Sequence, residues 1–316
     1  MAGTQKDKRE REHLFSIYAK NLSIYFPDIV GKFLCPICKK LFSRDDLNCL
    51  PPNITRAHII PRSLDGTLVT LSCKRCNDKI GYKFEKHLAK EKKIEDILKG
   101  KGSLPVRIKT DLGEIGADLS YQDSKPFIKH RPGQSNPKSS EKIIADAIKD
   151  WSKFKFSMKV KMFNPKKRNV AIIHSAFLMM FYYFGYEYVL SPNAKPVRDL
   201  ILNPELWSKS YEQIVGTLKN ASNCHCHSQN VSIIVSPKEI RSFLIEFPAP
   251  NKSTPARYVL LPGFGKDGQG AYNHILAGNF TTANLNLRLI PYDESSLTNP
   301  EFKWFAHKVW EYPFKI

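Results

Sequence analysis

Residues 53–78 read NITRAHIIPRSLDGTLVTLSCKRCND and decide what the first part of the chain becomes. They place one histidine, His58, before a short turn and two cysteines, Cys73 and Cys76, after it. The order predicts a strand ending at the histidine, a loop over PRSLDG, a returning strand over TLVTLS and then a helix. This geometry directs His58 and the start of the helix towards the same point.

A second cysteine pair, Cys35 and Cys38 in CPICKK, precedes this stretch. Two C-x-x-C pairs supply four thiolates in a closed tetrahedral arrangement, which suits structural zinc because no coordination position is left for a reactant. The alternatives are four free cysteines or two disulfides. We predict a Zn²⁺ site made by Cys35, Cys38, Cys73 and Cys76.

Composition indicates the partner and the compartment. Lysine and arginine outnumber acids by 49 to 30, for a formal charge of +19 in 316 residues. Such an imbalance favours a polyanion, and nucleic acid is the leading candidate, although a generically basic protein gives the same count. Four of the seven cysteines fall in C-x-x-C pairs and the N-terminus has no apolar signal core, so we predict a cytoplasmic protein.

The most apolar segment, residues 170–190, approaches the ~20 residues that a membrane span requires. Polar residues and a glycine interrupt it at His174, Ser175, Gly185 and Glu187. We therefore predict a buried helix that ends near Gly185, followed by a strand, and no membrane partner.

The pattern along the chain predicts an α+β protein with two domains. Residues 1–100 form a leading helix and a zinc-centred module, closed by a helix from about Asn77 to Leu98. Residues 101–316 form a larger basic α+β domain whose sheet is mostly antiparallel, because hairpin-length gaps outnumber crossover-length ones. The predicted strands of this domain lie at 104–129, 153–163 and in the runs NVSIIVS, EIRSFLIEF, RYVLLPG and LNLRLI. The aromatic run 181–188 is read as core packing rather than as a pocket for a base.

The combination CPIC, AHIIPRSLDG and LVTLSCKRCNDKIG resembles the HNH endonucleases, in particular the zinc-bound branch with cysteine pairs around a ββα-metal core. The resemblance covers roughly residues 30–90. It implies that His58 is the general base on water and that Asn77 ligates a catalytic Mg²⁺ or Mn²⁺ ion. It also implies hydrolysis of DNA phosphodiester bonds.

One position departs from the family pattern. The residue before the catalytic histidine is usually an acid or a histidine that ligates the ion, and here it is Ala57. Glu85 and His87 are the candidates to replace it. On a continuous helix Glu85 would lie ~12 Å from Asn77 along the axis, so the helix would have to bend near Gly81.

The second half adds a cationic stretch. No acid occurs from Trp151 to Gly185, and seven cations precede the apolar helix: Lys153, Lys155, Lys159, Lys161, Lys166, Lys167 and Arg168. These residues are predicted to contact nucleic-acid phosphates, with a solvated sheet face as the alternative.

The sequence thus predicts a DNA endonuclease, acting in restriction or phage defence, with a homodimer left open. Two other functions remain open: a zinc-stabilised nucleic-acid-binding protein that does not cleave, and a nuclease directed at RNA.

Overall fold

The structure is a computed structural model that describes residues 5–123, 125–133, 136–150, 155–160, 162–206, 214–218, 231–247, 256–277, 288–292 and 308. The chain divides into two compact units, one made of Met1–Glu85 with Lys166–Ile316 and the other of Lys86–Pro165. The sequence-based boundary at residue 100 lies where the predicted helix to Leu98 stops at Gly100. The division into a zinc-centred module over 1–100 and a basic domain over 101–316 stays a prediction.

Helices and strands alternate irregularly along the chain. The helices are α1 Gln5–Tyr25, α2 Lys74–Ile80, α3 Lys86–Leu98, α4 Pro137–Lys149, α5 Pro165–Phe184, α6 Tyr186–Leu190, α7 Lys195–Leu202 and α8 Gly270–Leu276. The strands are β1 Phe33–Leu34, β2 Leu41–Phe42, β3 Ile54–His58, β4 Val69–Cys73, β5 Leu104–Thr110, β6 Gly113–Gln122, β7 Lys125–His130, β8 Ser157–Lys159, β9 Val215–Leu218, β10 Val231–Ser236, β11 Ser242–Phe247, β12 Ala256–Leu261 and β13 Arg288–Tyr292. All strand pairs are antiparallel, so the predicted α+β class with antiparallel sheets is confirmed.

Strands β3 and β4 form a hairpin in which His58 pairs with Val69. The connecting loop is closed by the Ile59 N–H, which donates to the Leu68 carbonyl at 3.0 Å. Gly66 lies so close to the Ile60 backbone that a Cβ there would overlap the Ile60 carbonyl group. The loop therefore requires glycine at position 66. Helix α2 follows β4 and contacts both strands of the hairpin.

The helix predicted from Asn77 to Leu98 is wrong in two respects. Helix α2 begins earlier, at Lys74, with the Cys73 sulfur accepting a hydrogen bond from the Cys76 N–H at the cap. It is then interrupted by a π-helical turn over Gly81–Glu85 before α3 begins. A π-turn is a common site of helix bending, and this one begins at Gly81, where a bend was required to bring Glu85 near Asn77.

Aromatic side chains from α1, β1, α5 and α6 form one core within the first unit. Tyr18 stacks on Phe181 with ring centroids 4.2 Å apart, and Phe33 lies 6.2 Å from Tyr18. Tyr186 packs edge-on against Phe181 at 5.3 Å. The core-packing interpretation of run 181–188 is thus confirmed, but the strand predicted after Gly185 is wrong, because these rings are buried from a helix, α6.

Tyr186 also forms hydrogen bonds with β1, the strand that leads into the first cysteine pair. Its hydroxyl donates to the Leu34 carbonyl at 2.7 Å and accepts from the Leu34 N–H at 2.9 Å. Tyr186→Phe leaves both backbone groups buried without this partner, so we expect it to lower the free energy of unfolding by about 2 kcal/mol. Urea unfolding of the zinc-loaded protein measures this loss.

Tyr188→Phe is the matched control, because the buried Tyr188 hydroxyl has no hydrogen-bond partner in the described part of the chain. Removing that hydroxyl is expected to leave stability unchanged or slightly higher. Equal losses in the two variants would show that the bridge to Leu34 contributes nothing specific.

The larger sheet of the first unit has the order β13-β10-β11-β12-β9. It packs on the helices through aromatic contacts, with Phe243 of β11 lying 5.2 Å from Phe184 of α5. Four of its strands were predicted, and β9 was not.

The second unit is a four-stranded sheet of order β7-β6-β5-β8 with α3 and α4. Strand β5 alternates buried and exposed residues, and its buried side chains join Ile97 of α3 and Ile143 of α4 in one apolar core. Within the described part of the predicted strand 153–163, only Ser157–Lys159 pairs, along the edge of β5. Lys153 and Lys161 lie outside the described residues.

Within the described part of the chain, none of the helices combines the length and apolar character needed to cross a membrane.

Candidate functional site: a four-cysteine cluster and an adjoining pocket

Cys35, Cys38, Cys73 and Cys76 lie together, with all sulfur atoms within 4.8 Å of one another. The Cys38 and Cys73 sulfurs are 3.7 Å apart. Four sulfurs around a zinc ion at about 2.3 Å form a tetrahedron with edges of about 3.8 Å, so this distance is that of a metal cluster and not of a disulfide. The predicted ligands are brought together, and the set can hold a zinc-like ion.

Backbone hydrogen bonds build each half of the cluster. The turn after β1 is held by the Cys35 N–H donating to Lys40 at 2.9 Å and the Lys39 N–H donating to Cys35 at 3.0 Å, with Lys39 in the left-handed region at φ 56°. In the second half, Cys73 ends β4 and Cys76 lies in the first turn of α2. The Cys73 N–H points at the Cys35 sulfur at 3.5 Å, so the two halves are joined by a donor that favours a thiolate.

Burial sets the electrostatics of the cluster. Removal from water raises the pKa of Cys35 well above its ordinary value, whereas hydrogen bonds from neighbouring thiols lower the pKa of the more accessible Cys38. Four thiolates cannot coexist here without a compensating charge, because each would repel the others at short range. A divalent cation supplies that compensation.

His58 and Asn77 line one open pocket of about 460 Å³, and Asn77 directly follows Cys76 of the cluster. The full lining is His58, Pro61, Arg62, Asn77, Asp78, Gly81, Tyr82 and Glu85. The structure therefore brings together the two residues predicted to act in concert, and it adds Glu85, the first of the two candidates to replace Ala57. The other candidate, His87, accepts a hydrogen bond at Nδ1 from the Asn164 N–H at 3.0 Å within the second unit.

His58 is suited to accept a proton. Partial burial lowers its pKa, and the positive charges of Arg62 and Arg56 lower it further. The imidazole is therefore neutral at pH 7, as a general base must be. Ala57, by contrast, is only 1% exposed, and as the adjacent strand residue its side chain lies on the face opposite His58. Ala57 has no contact with this pocket.

Asn77 is held in one orientation by β3. Its Nδ2 donates to the Arg56 carbonyl at 3.2 Å and to Thr55 Oγ1 at 3.1 Å. A carbonyl can only accept, so the atom facing Arg56 must be the amide nitrogen. The Asn77 side-chain oxygen accepts no hydrogen bond from the described residues and is left for a ligand.

Glu85 has an unusual environment for an acid. Its carboxylate has no hydrogen bond or ion pair within the described residues, and burial raises its pKa from 4.5 to about 7. Asp78, the other acid that lines the pocket, is 59% exposed and pairs with Lys74 at 2.5 Å. Of the two acids, Glu85 is the one whose negative charge lacks compensation.

The raised pKa of Glu85 has a consequence for stability. When the pKa of a carboxyl is higher in the folded than in the unfolded state, its contribution to the stability of the folded state is fully present below the unfolded pKa of 4.5. That contribution is lost as the pH rises through the folded pKa of about 7. Glu85→Gln cannot titrate. In zinc-loaded protein without other divalent ions, we expect the free energy of unfolding of Glu85→Gln to be higher than that of the parent by about 2 kcal/mol at pH 8 and by much less at pH 5.

Urea unfolding across this pH range measures the difference. Glu114→Gln, which neutralises an exposed acid paired with Arg107, serves as the control and is expected to follow the parent. A difference between Glu85→Gln and the parent that does not change with pH would contradict the assigned burial of the charge.

The predicted phosphate-contacting cations are divided between the two units. Lys155 and Lys159 are exposed in the second unit, next to or within β8. Lys166, Lys167 and Arg168 lie in the first turn of α5, in the first unit. Their role in nucleic-acid binding stays a prediction.

Three cations were missed by the sequence reasoning. Arg62 lines the pocket four residues after His58, in the loop whose sequence was quoted but whose arginine was not assigned. Arg107 and Lys109 are exposed on β5, and Arg107 lies opposite Lys159 of β8 in the register of the two strands. In LPVRIKT, residues 104–110, apolar residues alternate with Arg107 and Lys109, and this alternation indicates a cationic outer face.

Among known proteins, neither a protein-family model, nor a curated protein, nor a solved structure matches this chain.

Proposed function

We propose that this protein is a metal-dependent endonuclease of the HNH type that hydrolyses phosphodiester bonds in DNA. The observation that carries the proposal is the shared pocket of His58 and Asn77, on a β-hairpin followed by a helix and next to four clustered cysteines. The formal charge of +19 supports a nucleic-acid substrate. A role in restriction or phage defence stays a prediction.

In this proposal, neutral His58 takes the proton from the attacking water. Arg62, at the same pocket, binds a non-bridging phosphate oxygen. The Asn77 side-chain oxygen would hold Mg²⁺ or Mn²⁺, and the ion would supply positive charge to stabilise the phosphate and the departing 3′ oxygen. The four cysteines hold the structural Zn²⁺ and take no part in the reaction.

One observation favours a second candidate, a zinc-stabilised protein that binds nucleic acid without cleaving it. Ala57 is in the core, so the usual ligand before the histidine is absent and nothing at that position reaches the pocket.

Nicking of supercoiled plasmid by the zinc-loaded protein separates the two functions. We expect nicked circles with Mg²⁺ or Mn²⁺ and none without a divalent ion. Retention of the plasmid in a gel shift, with no nicking under either metal, would favour the binding protein. Digestion of single-stranded RNA but not of duplex DNA would point to an RNA-directed nuclease.

The outer face of β5 and β8 provides a test of DNA contact. Lys109 and Lys159 are exposed on this face. If each neutralises one phosphate, Lys109→Ala with Lys159→Ala reduces the slope of log K against log salt by nearly two, because each contact contributes about 0.9. Fluorescence anisotropy with a duplex oligonucleotide over a salt series measures the slope.

Lys142→Ala with Lys149→Ala removes the same charge from exposed positions of α4 and is the matched control. An identical slope change in both double variants would mean that only net charge matters, and that the sheet face is not a contact surface.

A further inference from the structure

The proposed reaction needs an acidic ligand that the hairpin does not supply. Ala57 cannot ligate, and Asn77 offers one neutral oxygen. A hard divalent ion in an enzyme is usually bound by one or two carboxylates together with several waters. An acid from another part of the pocket is therefore required if the ion binds here.

The π-turn after α2 places an acidic side chain at the pocket. Eight residues along a regular helix separate two side chains by ~12 Å and about 80° of rotation. In this structure the turn over Gly81–Glu85 is wider, and Glu85 lines the same pocket as Asn77 and His58. Glu85 thus reaches the pocket that Asn77 and His58 line.

Gly81 defines where the carboxylate lies. A Cβ built on Gly81 would be 3.8 Å from Glu85 Oε2 and would meet no other atom within 4 Å. The Glu85 side chain thus runs back towards the N-terminus of the helix, as helical side chains do, and occupies space that glycine leaves open. Gly81 follows Asn77 by four residues, so the position that the carboxylate approaches lies one helical turn after Asn77, on the same face of the helix.

The surroundings of this carboxylate favour a cation. Glu85 has no hydrogen bond or ion pair within the described residues, whereas Asp78 is already paired with Lys74. A partly buried charge without a partner is unfavourable unless a ligand of opposite sign compensates it. Among the described residues, the cysteine cluster is the only group of three or more cysteine, histidine or acidic side chains close enough to share one ion. The pocket therefore does not surround an ion with such side chains alone. An open site with an amide and one carboxylate suits an ion that keeps its waters.

We infer that Glu85, delivered by the π-turn, is the acidic ligand of a divalent-ion site completed by Asn77, and that it takes the place of the ligand missing at Ala57. This inference rests on the proposed function for its role in catalysis, but the ion site is testable by itself.

Binding of Mn²⁺ to the zinc-loaded protein, followed by the electron paramagnetic resonance signal of free Mn²⁺, is the first experiment. Thiolate-bound zinc is not displaced by Mn²⁺, which binds such sites far more weakly. We expect Glu85→Gln to weaken Mn²⁺ binding at least tenfold and Asp78→Asn to change it less than threefold. Affinity retained within threefold in Glu85→Gln, or a larger loss in Asp78→Asn, overturns the inference.

A relocated acid tests the position of the carboxylate. Gly81 has helical backbone angles, φ −54° and ψ −53°, so an aspartate fits there without backbone strain. In the Glu85→Gln background, Gly81→Asp is expected to restore Mn²⁺ affinity to within tenfold of the parent. No gain over Glu85→Gln alone would contradict a site one turn after Asn77.

Nicking assays on the same proteins distinguish this inference from the proposed function. Mn²⁺ binding that depends on Glu85, in a protein that nicks no DNA, would leave the ion site standing and remove the nuclease. Metal-dependent nicking that is equal in the parent and Glu85→Gln would keep the nuclease and remove Glu85. No Mn²⁺ binding by the parent protein would overturn the inference directly.

Discussion

Cys73→Ser is expected to abolish zinc binding and to unfold the part of the chain that contains the β3–β4 hairpin. Cys73 is buried, ends β4, caps α2 through its sulfur and lies 3.7 Å from Cys38. A structural zinc site contributes apparent binding free energies of about 10–16 kcal/mol, which equals or exceeds the whole stability of a typical domain at about 5–15 kcal/mol. Zinc content near one per chain in the parent and near zero in the variant, with loss of the cooperative thermal transition, is the expected measurement.

Cys49→Ser separates the cluster from cysteine content in general. Within the described residues, the Cys49 sulfur makes only long contacts, at 3.4 Å, with the carbonyls of Asp46 and Pro51. This variant should keep its zinc and its unfolding temperature. A Cys73→Ser protein that folds without metal would refute the structural assignment, and zinc loss in Cys49→Ser would mean that the ligand set is wrong.

Local chemistry explains why the cysteine cluster and the hairpin could be predicted. A C-x-x-C pair needs only a tight turn, and the left-handed Lys39 and the N–H donor of Cys76 provide one in each half. His58 likewise ends its strand because Pro61 and the following residues turn the chain. These features depend on neighbours within a few residues, so sequence spacing is sufficient to place them.

Features that depend on distant contacts could not be predicted in the same way. The segment after Gly185 has an alternating appearance that favours a strand, but Tyr186 bridges to Leu34 from a helix. Tertiary packing around Phe181 determines whether this segment is a helix or a strand, and a short stretch of sequence does not reveal that packing. The π-turn is similar. Gly81 indicated the place for a bend, but the position of Glu85 follows only from the π-helical backbone of the structure.

The four-cysteine cluster and the pocket are coupled by their order along the chain. Cys76 and Asn77 are adjacent in the first turns of α2, and Cys73 caps that helix. An ion held by the cysteines therefore fixes the start of α2, and with it the hydrogen bonds from Asn77 to β3. The pocket requires the cluster for its geometry, although the thiolates are not themselves reactants.

His58→Ala has the largest expected effect on activity. Loss of a positioned general base lowers the rate by a factor of about 10² to 10⁴. The side chain lies at the pocket and not in the core, and it is not proposed to ligate the ion, so zinc content, folding and Mn²⁺ affinity should be preserved. Single-turnover nicking of supercoiled plasmid with saturating Mg²⁺, in the parent and the variant, measures the factor.

The pH profile tests the assignment of His58 as the base more specifically than the rate alone. Its pKa is lowered by burial and by Arg62 and Arg56, so the imidazole is protonated only in acid. With enough Mg²⁺ to saturate the protein at every pH, so that protonation of Glu85 does not limit ion binding, parent activity should therefore rise with pH below about 6.5 and reach a plateau by pH 7, and His58→Ala should lack this acid limb. His13→Ala, which changes an exposed histidine on α1, controls for the loss of an imidazole and should keep both rate and profile. Equal cleavage by the parent and His58→Ala across this range would exclude His58 from the reaction, and the base would then have to be sought elsewhere in the pocket.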